Sequence, residues 1–186
     1  MGVGVLVVFC PINWNLSLMS EITEIETERL LLRQFCQSDI DAFAAFSAEE
    51  ESMRYIGGTC DREEAWRRMA INIGHWALRG FGPWAVEEKS TGTFIGRVGM
   101  WHPETWPGPE TVWSLVAAKR GQGFATEAAR ATIQYAFHQL GLVQVPSIIH
   151  PKNIASIRVA ERVGQRRTGE WMRKGTQRLV YTINRE

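Results

Sequence analysis

The chain has 186 residues, 45% of them hydrophobic and 22% charged, with a net charge of +1 at pH 7. That length and balance belong to a globular domain able to bury a core without metal or disulfide staples. Near-neutral charge argues against a basic nucleic-acid footprint over the whole surface, and the scattered Cys10, Cys36 and Cys60 form neither a zinc pattern nor a disulfide framework, as in a reduced, cytoplasmic protein.

The first ten residues are apolar, lack the positive flank of a secretory signal and are too short to span a bilayer. Met1-Gly2 begins like a myristoylation signal, but Leu6 stands where Ser or Thr is wanted. Residues 1–20 read as an extension outside the fold, with Met19 as an alternative start, and 21–186 as a single domain. Residues 29–35 read as a strand. A helix follows, with Ser38 as N-cap, Asp41 three residues on, and Ile40, Phe43 and Phe46 at helical spacing. A second helix opens at Asp61, with Glu64 three residues later, and runs towards Leu78; Trp66, Met69, Ile73 and Trp76 mark its apolar face. Gly80, Gly82 and Pro83 stop it.

Strands over 84–88 and 94–101 form a hairpin across the turn at 89–92. A loop rich in Pro and Trp spans 102–109, and a strand covers 110–117. A glycine turn at 120–125 opens a helix over 126–140, with Gly141 just past its end. Residues 145–149 read as a strand, and 153–163 as a helix capped by Asn153 and closed by Gly164. Segments 170–173 and 178–183 form a last hairpin around Gly175. The order β-α-α-β-β-β-α-β-α-β-β describes a mixed α/β (α+β) domain around one largely antiparallel central sheet flanked by helices, and the passage 110–150 is able to set two strands parallel.

The chemistry concentrates in Leu115-Val-Ala-Ala-Lys-Arg-Gly-Gln-Gly-Phe-Ala-Thr-Glu-Ala128. Gly121 and Gly123 let the backbone approach a ligand, and the unpaired N–H groups of a helix start favour an anion such as a pyrophosphate. Lys119 and Arg120 add charge. The P-loop signature is absent, and a dinucleotide fingerprint needs glycine at 126, which is Thr126. Taken alone, the turn is equally a tight connection between strand and helix. Asn153 and Ser156 open the next helix as N-x-x-S, a pattern that a plain N-cap also explains.

In this register the sequence resembles the GCN5-related N-acetyltransferase (GNAT) family, and within it the branch of RimJ/RimL type. Arg120-Gly-Gln-Gly-Phe-Ala125 matches the family motif Arg/Gln-x-x-Gly-x-Gly/Ala. The blocks Gly123–Ala128, His150–Ser156 and Val159–Gly164, together with the opening Thr27-Glu-Arg-Leu-Leu-Leu-Arg33, carry the likeness over 27–184. The resemblance implies an enzyme with acetyl-CoA as co-substrate, held in a V-shaped gap where strands 110–117 and 145–150 splay apart. It also implies that backbone groups of Leu115, Val116 and Ala117 hold the pantetheine arm. Arg120 and the amides of Gly121, Gln122, Gly123, Phe124 and Ala125 hold the pyrophosphate. Asn153 and Ser156 reach the pantetheine and the sulfur end, and Ser156 protonates the leaving thiolate. Two residues depart from the pattern. Pro146 lies in the second splayed strand, tolerable where its missing N–H is not needed, and Gln165 replaces an apolar residue after Gly164, which is expected to loosen the last hairpin.

Acetyl transfer needs an unprotonated amine, yet an amine of pKa ~8–10 is mostly protonated at pH 7, so a base is wanted. Glu110, at the start of the central strand, is the first candidate, although a strand-end carboxylate is equally often just exposed; His150 is the second. A strand amide near Val116 is expected to meet the oxyanion. The acceptor is a primary amine, on a peptide N-terminus or a small molecule. Trp101, Trp106 and Trp113 are candidates to line its site, with packing in the core as the alternative role expected for at least two of them. Glu49, Glu50 and Glu51 either attract a cationic amine or are a solvated helix end. No metal is implied, since His75, His102, His138 and His150 lack ligand spacing, and neither a nucleic acid nor a membrane is expected as partner of the monomer or homodimer. Two other readings stay open: a nucleotide-dependent transferase, which lacks a Walker lysine, and a non-catalytic acyl-CoA sensor on the same fold.

Overall fold

In the computed structural model, which describes residues 23–185, alternation in the strands sets which face is buried; the extension expected over 1–20 lies outside the described residues. Leu30 and Leu32 are buried while Leu31 and Arg33 are half-buried, the period of two that a strand requires. Five strands, β1 (Ile25–Glu26), β2 (Leu30–Arg33), β3 (Pro83–Glu88), β4 (Thr93–Trp101) and β5 (Glu110–Leu115), lie side by side in chain order, all antiparallel. A second sheet has the order β6 (Gln144–Ile149), β8 (Thr176–Asn184), β7 (Arg166–Arg173). Two helix layers cover the larger sheet. On one face, Phe43 and Phe46 of α1 (Ile40–Ala48), which the short α2 (Glu50–Met53) follows, pack with Phe35, Phe94 and Met69 of α3 (Arg62–Arg79). On the other, Ala128, Ile133 and Ala136 of α4 (Phe124–His138) close over Val98, Met100 and Leu115. Each fully buried Leu, Ile, Met or Phe contributes roughly 1.5–3 kcal/mol, so these two cores hold the layers together.

Local details differ from the sequence reading for physical reasons. Ser38 does not cap the first helix. The Cys36 N–H donates to Asp39 Oδ2 at 2.8 Å, a 3-10 turn spans Gln37–Asp39, and α1 starts behind it. On α3 the cap is as read, Asp61 accepting from the Glu64 N–H at 2.8 Å. The buried stripe, however, is Ala65, Met69, Asn72 and Trp76, with Trp66 53% exposed. Spacings of four, three and four residues keep that stripe on one side of a 3.6-residue helix, and Trp66 is turned off it. The helix read as starting at 126 begins at Phe124, on Gly123 as cap. The strand read to 117 ends at Leu115, where a 3-10 turn takes over.

No ladder joins β5 to β6; the sheet parts there. Alternation explains why the gap is tolerated. The Arg185 N–H donates to Val143 O, so residues 145, 147 and 149 turn their backbone groups to β8, and 146 and 148 turn theirs to β5. Pro146 thus falls where no ladder asks for its N–H, and the N–H of Ile148 is taken by Glu110 Oε2 at 2.7 Å. A second tie is Ser147 Oγ, which donates to Thr111 O at 2.9 Å. Gln165, expected to loosen the last hairpin, does the reverse. It is 2% exposed, and its Nε2 donates to Val145 O and Ser147 Oγ, both at 3.0 Å. The segments that leave β5 and β6, including α5 (Ile154–Arg162), line one cavity, so both strands point their C-terminal ends into it.

Candidate active site

That cavity has a volume of about 480 Å³. Leu115, Arg120, Gly121, Gly123, Phe124, Ala125, Asn153 and Ser156 all face it; Val116, Ala117 and Gln122 do not. The Val116 N–H donates to Ile95 O at 2.9 Å, and the Ala117 N–H donates to Glu49 Oε2 at 2.9 Å. An amide near Val116 is therefore already spent, contrary to the expectation that it meets the oxyanion. With Val116 bound to β4, alternation sends Ser114 and Val112 to β4 as well, and turns the N–H groups of Trp113 and Leu115 towards the gap. Ser52 Oγ donates to Leu115 O there at 3.2 Å.

The turn itself is built from two left-handed glycines, Gly121 at φ 74° and Gly123 at φ 85°. A side chain at either would strain the backbone. Gly123 caps the 15-residue helix α4, whose first-turn N–H groups have no intrahelical partner and point where an anion would sit. The opening motif clamps this turn. Thr27 Oγ1 and the Arg29 N–H donate to Glu127 Oε1 at 2.6 and 2.9 Å, and Arg29 Nε donates to Glu127 Oε2 at 2.7 Å. Arg29 Nη1 donates to Gln122 O, and its guanidinium lies 4.3 Å from the Phe124 ring centre. Sequence reasoning noted both motifs but not that one holds the other.

The cations foreseen beside the turn have partners. Arg120 pairs with Glu51 at 2.7 Å and also donates to Ser52 Oγ, while Lys119 pairs with Glu88 at 2.6 Å. Glu49 and Glu51 are thereby committed to Ala117 and Arg120 rather than left to attract an amine. The cavity is instead made positive by Arg54, Lys152, Arg158 and Arg162, none of which was singled out from the sequence. Arg158 and Arg162 stand four apart on α5, so one helix face carries both.

A smaller cavity of about 90 Å³ shares Trp113, Ser114, Asn153 and Ser156 with the first and reaches Glu110 and His150. The three catalytic candidates Glu110, His150 and Ser156 therefore meet in one place. Glu110 is not an exposed strand end: it is 3% exposed and accepts from Trp106 Nε1 and from the Ile148 N–H, both at 2.7 Å. Burial pushes its carboxyl up to about 7, against the opposing pull of those two donors. The His150 ring lies 4.9 Å from that of Tyr55, and its Nδ1 accepts from the Lys152 N–H at 3.1 Å. Burial, followed by the nearby Arg178 and Lys152 charges, holds that imidazole below its ordinary pKa. Asn153 caps α5, its Oδ1 accepting from the Ser156 N–H at 3.2 Å. Of the three tryptophans expected near the acceptor, Trp113 lines both cavities, Trp106 holds Glu110, and Trp101 stacks on His75 at 4.8 Å.

Among the described residues no helix is long and apolar enough to cross a membrane, and no three metal-ligating side chains converge. Residues 29–166 match the family model of the acetyltransferase (GNAT) domain. The chain is 32% identical over 153 residues to the protein YkkB of Bacillus subtilis (strain 168), covering 78% of this chain and 87% of that one. An acetyltransferase of Agrobacterium tumefaciens str. C58 is similar in structure at a TM-score of 0.80, with 32% identity over 88% of this chain and 95% of that one. RimL, a ribosomal alpha-N-protein acetyltransferase solved in complex with coenzyme A, is similar in fold at a TM-score of 0.73 and 16% identity, over 87% and 98% of the two chains. Motif, splayed strands and relatives agree: the chain belongs to the GNAT family and is an acetyltransferase.

Proposed function

We propose that this enzyme moves the acetyl group of acetyl-CoA onto a primary amine by direct attack in a ternary complex. The observation that carries this reading is a pair of cavities with shared walls, one at the positive-φ glycine turn and the splayed ends of β5 and β6, the other at a buried carboxylate poised near neutrality. The pyrophosphate of acetyl-CoA lies against Gly121, Gly123 and the first turn of α4, with the α5 cations beside it. Its pantetheine arm runs along Leu115, between the splayed strands. The thioester carbonyl lies further from the turn, where the Trp113 N–H points into the gap and receives the oxyanion.

The amine gives a proton to Glu110, directly or through water, and its lone pair attacks the thioester carbon. A C–N bond forms, the oxyanion collapses, and the C–S bond breaks. The thiolate takes a proton from Ser156 as it leaves, and the proton held by Glu110 passes back to Ser156, directly or through water, which restores both groups. Glu110 suits the task because a base with pKa near the working pH is the most effective proton acceptor. The neutral imidazole of His150 stays the second candidate for the same step. The free Cys36 and Cys60 thiols support a reducing, cytoplasmic setting.

Titration calorimetry with acetyl-CoA, ATP and NADH tests the cofactor half of this reading. Acetyl-CoA alone is expected to bind, and Gly123→Asp, which sets a carboxylate and a strained backbone at the turn, to weaken it by about a hundredfold or more. Binding of ATP in place of acetyl-CoA would overturn it. Release of free CoA in the presence of amines then separates an enzyme from a sensor.

A further inference from the structure

Arg97 stands on β4 opposite Ser114 and lines the small cavity with Glu110. It is held from behind. Its Nη1 donates at 2.9 Å to Oδ1 of Asn72, a fully buried residue of α3. The Trp101 ring flanks it at 5.8 Å, fixed in turn by stacking on His75, whose two ring nitrogens meet Phe81 O and the His102 N–H. Among the described residues Arg97 has no carboxylate partner; the ion pairs of the sheet and helices use other arginines. Arg178 enters the same cavity from β8 and, among the described residues, bonds only a backbone carbonyl, that of Gln177.

A guanidinium carries five N–H donors, and here one is engaged by Asn72. Holding such a cation half-buried without a counter-ion costs free energy, which is tolerated where a ligand supplies the missing charge. Nearby acids supply it only in part: Glu110 acts on Arg97 through its charge but makes no ion pair with it. Glu49 and Glu51 hold Ala117 and Arg120, and Glu110 is bound by Trp106 and Ile148. Desolvation lowers the Arg97 pKa only to about 10, so it stays cationic at neutral pH.

The geometry points to an anion subsite in the acceptor site: the amine that this enzyme acetylates bears a carboxylate, which Arg97 receives while the amine lies at Glu110. This inference rests on the amine acetylation proposed above. The fork of a guanidinium matches a planar carboxylate in two parallel hydrogen bonds, and about 90 Å³ suits a small group better than a large one. Arg178 adds to the positive field. A polycationic acceptor meets two guanidinium groups that have no ion-pair partner among the described residues and is disfavoured.

Steady-state kinetics with acetyl-CoA tests it on paired acceptors: glycine against glycinamide for a free amino acid, and amidated Ser-Asp-Ala against Ser-Asn-Ala for a side chain near a peptide N-terminus. Rates are compared per unprotonated amine. In the native enzyme kcat/KM is expected to favour the carboxylate in at least one pair by about tenfold or more, and Arg97→Gln to bring that ratio towards one. Both members of a pair use the same base, so a change in Glu110 alone moves neither ratio. Ratios near one in both pairs, or a preference that survives Arg97→Gln, overturn the subsite. If no amine is turned over, the acetyl-transfer reading fails by itself, and calorimetry of the CoA-loaded protein decides the subsite. Binding of N-acetylglycine but not N-acetylglycinamide, lost in Arg97→Gln, supports it; equal or absent binding overturns it.

Discussion

Glu110 owes its ionisation to its surroundings rather than to its place in the chain. Trp106 closes over it from the loop before β5, and the Ile148 N–H reaches it from β6 across 38 residues of sequence. Because its folded pKa of about 7 lies above the ordinary carboxylate value, the group is protonated in mild acid and charged above neutrality. The base form therefore accumulates as pH rises, and kcat is expected to climb through a midpoint near 7. Glu110→Gln should lower kcat by roughly 10²–10⁴-fold and abolish that limb while leaving acetyl-CoA affinity intact. A pH–rate profile of the two proteins checks this; an unchanged limb would transfer the role to His150. The same sign governs stability: the folded state holds this proton more tightly, so its contribution is complete below the ordinary carboxylate range and lost as pH rises through about 7.

At the scale of elements, the gap between β5 and β6 is held at one end by a few polar atoms. Ser147 Oγ gives its proton to Thr111 O and accepts from Gln165 Nε2, joining β5, β6 and the residue that precedes β7. Ser147→Ala leaves the Thr111 carbonyl and the Gln165 amide each short of a partner in a buried place. It is expected to cost about 1–3 kcal/mol, measured as a shift of the urea midpoint. The glycine turn, by contrast, was legible from the sequence, because left-handed φ angles and a helix cap are local requirements that Gly121 and Gly123 satisfy by themselves. The cap at Asp61 was legible for the same reason. The start of α1 was not. Ser38 had the right chemistry, but Asp39, fixed by Arg33 from another element, accepts from the Cys36 N–H and closes a 3-10 turn that has Ser38 inside it rather than ahead of the helix.

Across the molecule, Arg33 ties β2 to β3 and to the turn that opens α1. It donates to both oxygens of Asp39 at 2.8 Å and to Glu87 on β3 at 2.7 Å. Burial pushes the Asp39 carboxyl up, but the Arg33 hydrogen bonds, the Cys36 N–H and the Arg33 charge together outweigh it and hold the group below its usual range. Its stabilisation is thus complete at neutral pH and lost as pH falls through the folded pKa. Arg33→Met should destabilise the domain by about 3 kcal/mol at pH 7, by stranding a buried carboxylate. The loss should shrink in acid, which denaturant melts at neutral pH and near pH 3 would reveal. A constant loss across that range would mean that packing of the Arg33 stem, not its charge, joins the sheet to α1.

What the sequence determined by itself was local: the periodicities that make strands and helices, the glycine turn, the N-caps at Asp61 and Asn153, and the motif register that identified the family. Tertiary structure decided which amides remain free and which charges remain unpaired. Val116 lost its N–H to β4, Glu49 and Glu51 went to the turn, Glu110 was enclosed, and among the described residues Arg97 was left without an ion-pair partner. Hydrogen-bond partners and desolvation come from residues distant in sequence, so the reactive state of a side chain is a property of the packed molecule, not of its neighbours along the chain.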